Sequence, residues 1–220
     1  QAMNPMNNWP LWGILIVGFL VRDFVQWWVH RLLHKSSFLW EFHKVHHSVE
    51  EMGFAAHLRY HWMENVVYRT LEYIPLALLG IGLHDFFIIH IFTLAVGHFN
   101  HSNISISGRN MGLVLGLLIG LLIATSSIDI HLLSEAGVVT QVFTVVLSSI
   151  FGYLILGPTM KLIFNHPEMH IWHHAYELPE DRKTGVNFGL TLAVWDFIFG
   201  TVYMPFNGRD IRLGFPEIEY

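Results

Sequence analysis

Residues 28–48 read WVHRLLHKSSFLWEFHKVHHS. Two histidine spacings stand in this stretch. His30 and His34 are four apart, and His43, His46 and His47 follow an H-x2-H-H pattern. On an α-helix, positions three and four apart share a face, so each set aims two or three imidazoles at one point. At about 100° per residue, His43, His46 and His47 fall roughly 160–260° around the axis from His30. One straight helix cannot turn both sets toward a common centre. The chain therefore bends between His34 and His43, with Ser36–Ser37 as the natural place, and the bend brings the two sets face to face.

Further along, His170, His173 and His174 repeat the H-x2-H-H spacing, and His98 with His101 supplies a fourth contribution. Neutral imidazole is the commonest protein metal ligand and suits Zn, Cu, Fe and Ni. The chain has no cysteine, which excludes disulfides, iron–sulfur clusters and thiolate zinc sites. Eight to ten imidazoles exceed the four to six positions of one metal, so two metals are the economical reading. Coordination by histidine without thiolate suits iron that keeps positions open for O2. Glu41, Glu64 and Asp196 are the carboxylates placed to orient those imidazoles. The isolated His84, His90 and His131 read as hydrogen-bonded or interfacial residues. His166 precedes Pro167, which disfavours helical geometry at that position.

Around these boxes the chain is apolar. Hydrophobic residues make up 53% of the 220 positions and charged residues only 13%, against about 25% charged in a soluble domain. A net charge of −5 with twelve Lys and Arg argues against a nucleic-acid partner. The length suits one domain, spanning residues 1–220. No basic segment precedes the first apolar run, so no secretory signal is expected. Residues 1–21, 110–128 and 136–160 carry no charge, and each is near the ~20 apolar residues of a spanning helix. Residues 66–99 are apolar but broken by Pro75, Gly80, Gly82, His84 and Asp85. They read as two short helices joined at 80–85, because a single helix of that length would overrun the hydrocarbon core. The fold class that follows is all-α, an integral-membrane helical bundle with a histidine-rich cap; a large soluble helical core is the alternative.

If every box serves one site, each connection between boxes crosses the membrane an even number of times. The 66–99 hairpin and the pair 110–128 and 136–160 both meet that condition. The far-side turns then hold Asp85, Asp129 and Glu135 but no Lys or Arg, and eleven of the twelve basic residues, all but Arg22, fall on the histidine side. That asymmetry places the metal site on the cytoplasmic face of a multi-pass protein. After His174 the chain turns polar, with a loop at 179–183, an apolar segment at 195–203 and an irregular tail from Pro205.

The order and spacing of WVHRLLH (28–34), LWEFHKVHHS (39–48), HLRYHWME (57–64), FNHSN (99–103), HPEMHIWHH (166–174), GVNFG (185–189) and WDFIFGT (195–201) resemble the fatty acid hydroxylase / sterol desaturase superfamily of membrane diiron oxidases. The resemblance runs from about Trp28 to Pro205. It implies two iron ions ligated by His30, His34, His43, His46, His47, His101, His170, His173 and His174, with His98 a further candidate. His61 and Glu64, in a segment shared with His57 and Arg59, would support the ligands, and Asn187 and Asp196 would hold the cap together. The implied activity is O2-dependent hydroxylation or desaturation of a C–H bond in a membrane lipid, with electrons from a separate donor. In two respects the chain departs from the family pattern. His101 and His170 lie 69 positions apart where the family has a short link, making room for an extra membrane hairpin at about 110–160. His98 also stands three residues before His101, whereas relatives with a second histidine there use a wider gap. Two other classes remain open: a b-type cytochrome with axial histidines and a metal transporter with intramembrane ligands.

Overall fold

The computed structural model describes residue 6, residues 8–126 and residues 135–216. The fold is all-α, with no strand among the described residues beyond one isolated bridge between Ala175 and Leu213. Among the described residues, three helical segments are long and apolar enough to cross a membrane: Leu11–Lys35, Gly108–Thr125 and Gly137–Ile163. The bundle is therefore that of a membrane protein, as the charge-free runs predict.

Helix α1 (Leu11–Lys35) runs 25 residues and ends where Ser36 turns extended. The Ser36 amide donates to Leu32 O at 3.0 Å, and its hydroxyl accepts from Leu39 N at 3.4 Å. One serine thus closes α1 and caps α2 (Ser37–His47), which is the bend the two histidine spacings require. After a short 3-10 turn at Phe54–Leu58 come α3 (Trp62–Leu78) and α4 (Leu83–Asn100). They are joined through Gly80, whose φ of 82° needs a residue without a Cβ. This is the hairpin read from residues 66–99, and it returns the chain to the histidine end.

Arg69, counted above with the basic residues of the histidine side, lies on α3. Its Nη1 donates to Glu72 Oε2 at 2.8 Å, and Arg22 Nη2 reaches the same oxygen at 3.0 Å. Glu72 is fully buried and holds the buried Arg22 guanidinium inside the bundle, while Arg69 reaches it from a more exposed position, with His90 Nδ1 3.2 Å from each.

The chain divides into two compact units, Gln1–Ile104 with Asn165–Tyr220, and Ser105–Phe164. The second unit is a hairpin of α5 (Gly108–Ser126) and α6 (Glu135–Phe151), continued by a π turn, a 3-10 turn and α7 (Met160–Ile163). Its far turn, with Asp129 and His131, lies outside the described residues. Glycines at 108, 112, 116 and 120 recur every four residues and so form a stripe down one face of α5. A Cβ on Gly112 would meet Gly152 O at 2.2 Å, and one on Gly116 would meet Ser148 O at 2.2 Å. The two backbones thus touch, the close small-residue packing on which membrane helices rely.

In the first unit, α8 (Pro167–His173) and α9 (Val194–Ile198) complete the cap. The segment after Pro205, expected as an irregular tail, folds back onto it. Tyr176 N donates to Arg212 O at 2.9 Å and Gly214 N to His174 O at 3.0 Å. Leu213 packs with Val49, Met52, Ala56, Ile171, Trp172 and Ala175 in a small apolar core under the last histidine box.

Candidate metal centre

Four elements deliver the histidines. His30 and His34 lie one turn apart near the end of α1, and His43, His46 and His47 occupy α2. His101 caps α4, and His170, His173 and His174 stand on α8 and its C-cap. Among the described residues, nine imidazoles assemble into two groups. His30, His34, His43, His47 and His173 form one, and His46, His101, His170 and His174 the other; within each group the ligand atoms all lie within 4.8 Å of one another. The split follows helical geometry. In His43-x2-His46-His47, the first and last members are about 40° apart and join the first group, while His46 lies about 60° to the other side and joins the second. On α8 the same rule runs in reverse, so that His170 and His174 join the second group and His173 the first.

The nitrogens are set for a cation. Nε2 atoms of His30 and His43 are 3.1 Å apart, and those of His34 and His173 are 3.3 Å apart. In the second group, His101 Nε2 lies 3.1 Å from His46 Nε2 and 3.0 Å from His170 Nε2. Two ligands at a metal–nitrogen distance of ~2.1 Å are about 3.0 Å apart at a right angle and about 3.4 Å apart in a tetrahedron.

The opposite ring nitrogens are held as donors. His30 Nδ1 donates to Phe188 O at 2.7 Å, His46 Nδ1 to Arg59 O at 3.1 Å, His101 Nδ1 to Gly97 O at 2.6 Å and His173 Nδ1 to Val186 O at 2.7 Å. His43 Nδ1 donates to Glu64 Oε1 at 3.0 Å. Each bond fixes the neutral tautomer with the Nε2 lone pair facing inward. Lone pairs confronting one another at 3 Å repel unless a cation lies between them. His47 Nε2 and both ring nitrogens of His174 are buried without a hydrogen-bond partner, which metal coordination would relieve. Burial, and then the neighbouring imidazoles, hold His43, His47, His101, His170, His173 and His174 well below the usual histidine range. Burial lowers His46 to about 4. Neutral imidazole is the form that binds metal, so the residues fit the group the boxes suggest.

The supporting residues divide. Glu64 touches a ring of the first group, as described. Asn187 adopts a left-handed φ of 53°. Its Nδ2 donates to Met169 O and Tyr203 O at 2.8 and 2.7 Å, and its Oδ1 accepts from Tyr203 N at 2.8 Å. It thereby fixes the strip 186–188, whose carbonyls hold His173 and His30. Asp196 accepts from Phe188 N, Gly189 N and Trp27 Nε1 at 2.7–2.9 Å and anchors the same strip.

Three sequence candidates lie elsewhere. His98 is in neither group: its Nδ1 donates to Phe54 O at 2.8 Å, tying the 3-10 turn to α4. His61 caps α3, accepting from Met63 N at 3.2 Å, and packs on Phe42. Glu41 faces out from α2, paired with Lys44 at 2.5 Å, because helix periodicity turns position 41 away from the buried ring positions 43 and 47. The orienting carbonyls of Arg59, Gly97, Val186 and Phe188 have no side-chain signature, although the last two lie within GVNFG. The histidine-lined cavity beside the two groups has a volume of about 420 Å³ and reaches to Leu94 and Leu190.

Comparison with known proteins places this geometry in context. Over 208 residues, 94% of this chain and 47% of the other, the sequence is 26% identical to the ornithine lipid hydroxylase OlsE of Rhizobium tropici. It is 26% identical over 185 residues to the human alkylglycerol monooxygenase, covering 84% of this chain and 29% of that one. A shorter match, 38% over 65 residues, covers 29% of this chain and 21% of the very-long-chain aldehyde decarbonylase GL1-10 of Oryza sativa subsp. japonica. The chain thus spans about half the length, or less, of the curated relatives it matches. No solved structure matches it. The fatty acid hydroxylase profile matches residues 15–132, more than half of the 220 positions, from within α1 past His30, His34, His43, His46, His47 and His101. By that match the chain belongs to the fatty acid hydroxylase family.

Proposed function

We propose that this chain is an O2-dependent, non-haem diiron oxidoreductase that hydroxylates or desaturates a C–H bond of a membrane lipid. One iron is assigned to His30, His34, His43, His47 and His173, and the other to His46, His101, His170 and His174. The observation that carries the reading is the pairing of two converging imidazole groups with one cavity that touches both. His30 and His43 of the first group and His46, His101 and His170 of the second line its wall. A volume of about 420 Å³ lies in the range of small-ligand sites. Names of the two longer matches, a lipid hydroxylase and a monooxygenase, support the same substrate class. Five imidazole nitrogens meeting at one point leave no plane for a porphyrin, which weighs against the cytochrome alternative.

Iron bound there would supply the activation of O2 that attack on an unactivated C–H bond needs. The chain's own residues do the rest. Leu58, Tyr68, Leu94 and Leu190 give apolar wall to a cavity that Arg22, Glu64, Asn65 and Arg69 also line, so that an alkyl segment can lie against the imidazoles with polar groups beside it. Glu64 and the carbonyls of residues 59, 97, 186 and 188 hold the rings in the ligating tautomer. Burial of the boxes keeps water from the reacting chain. Electrons would come from a separate donor. Basic residues flanking the boxes support a cytoplasmic orientation, and the hairpin of α5 and α6 is read as an addition to one membrane domain covering 1–220.

The test is iron quantification of purified protein together with lipid profiling of cells expressing the wild type, His46→Ala or His173→Ala. Both variants should lose iron and the oxidised lipid, and turnover retained in either one overturns the assignment.

A further inference from the structure

The two groups are unequal, five imidazoles against four, and the space beside the smaller one is occupied. Gly97 precedes His101 by four residues on α4 and so shares its face. A Cβ on Gly97 would lie 2.5 Å from both Cε1 and Nε2 of His57, a distance real atoms do not show. The missing side chain at position 97 is therefore what admits the His57 ring. That ring comes from the 3-10 turn Phe54–Leu58, which His98 fastens to α4 through Phe54 O. Its centroid is 4.7 Å from that of His101.

His57 Nδ1 is buried and has no hydrogen-bond partner, an unfavourable state for a polar atom. The ring also lines the cavity that touches both groups. A buried imidazole with a partnerless ring nitrogen, set beside four converging ones, has the chemistry of a ligand. We propose that His57 is a fifth ligand of the second metal, seated in the space left by Gly97, so that each metal is held by five histidines. The proposal rests on the two-metal reading above.

Metal retention tests it without any assay of turnover. Detergent-purified protein is loaded anaerobically with Fe(II), and iron per chain is followed during challenge with a chelator. In His57→Ala, one iron of the two should leave at least about tenfold faster than in the wild type, the scale on which ligand support acts. His57→Phe keeps the ring without its nitrogens and should show the same loss. The double variant His57→Ala with Gly97→His, which returns an imidazole to the same space from α4, should restore retention. Gly97→Ala should release the same iron while leaving every histidine in place. Far-ultraviolet circular dichroism identifies any variant that has not folded, and Gly97→Ala or His57→Phe then stands in for it. Wild-type retention in both His57→Ala and His57→Phe, or in His57→Phe alone, overturns the proposal. A wild type that takes up no iron would instead overturn the diiron reading beneath it.

Discussion

Acid should unfold the metal-free cap within a narrow interval just below pH 6.5. The perturbation is removal of iron by chelation, followed by a titration from pH 7.5 to 4.5. Seven histidines outside the membrane spans, His43, His46, His47, His101, His170, His173 and His174, have pKa values below the ordinary 6.5 because they are buried beside one another. In the unfolded chain each takes a proton as pH drops through about 6.5, while the folded cap resists it, so the unfolded state binds more protons and stability falls with pH. The stability is complete above pH 6.5. For His46 the decline ends near its folded value of about 4, below which both states are charged. One pH unit below 6.5, each neutral buried histidine costs about 1.4 kcal/mol, so seven together cost roughly 10 kcal/mol. That rivals the 5–15 kcal/mol stability of a typical domain. Tryptophan fluorescence and near-ultraviolet circular dichroism in detergent should show cooperative loss of the cap between about pH 6.5 and 5.5. Iron-loaded protein should hold to lower pH, because coordinated nitrogens cannot take a proton until the metal leaves. A metal-free cap that keeps its signal unchanged to pH 5 would refute the claim that these rings are buried and neutral.

Two further substitutions probe the frame and the support. Gly116→Leu should force α5 from α6, since even a Cβ would stand 2.2 Å from the Ser148 carbonyl; the expected result is a lower Tm and new proteolysis between residues 108 and 163, and an unchanged Tm would contradict the close approach. Glu64→Gln replaces the carboxyl whose oxygen His43 Nδ1–H meets at 3.0 Å and should weaken iron binding by about 10–100-fold in chelator competition, whereas Glu41→Gln, on the exposed face, should leave it unchanged.

What could be read from the sequence was whatever helical period imposes. The bend at Ser36 follows from the angular mismatch of two spacings, and the break at 80–85 from glycines that cannot continue a helix. Convergence of nine histidines follows from i, i+3 and i+4 positions on short helices. The remainder depends on tertiary contacts that leave no periodic trace. His57 sits on a 3-10 turn with no partner at helical spacing, so only the space at Gly97 marks it. Glu41 and Glu64 look alike as carboxylates near a box, and burial alone separates them. Arg69 reads as an ordinary basic residue, and nothing in its spacing announces that it shares the buried Glu72 with Arg22. The four-residue glycine repeat of α5 was a legible packing signal, but an absence of charge reports only that a helix can enter lipid, not which face it turns to a neighbour.

The H-x2-H-H box itself carries the argument for two metals. Adjacent histidines on a helix point about 100° apart and cannot both bind one ion without distortion. Yet the first and last residues of the box share a face, and the middle one turns away. On the two-metal reading proposed above, the box would serve two centres at once, giving a pair to one and a single ring to the other. Here α2 gives its pair, His43 and His47, to the first group and His46 to the second, while α8 gives its pair, His170 and His174, to the second and His173 to the first. Two such boxes facing in opposite senses supply three imidazoles to each centre. His30 and His34 then complete the first group, and His101 adds a fourth ring to the second. One further imidazole would bring the second centre level with the first, and the ring best placed to provide it is His57.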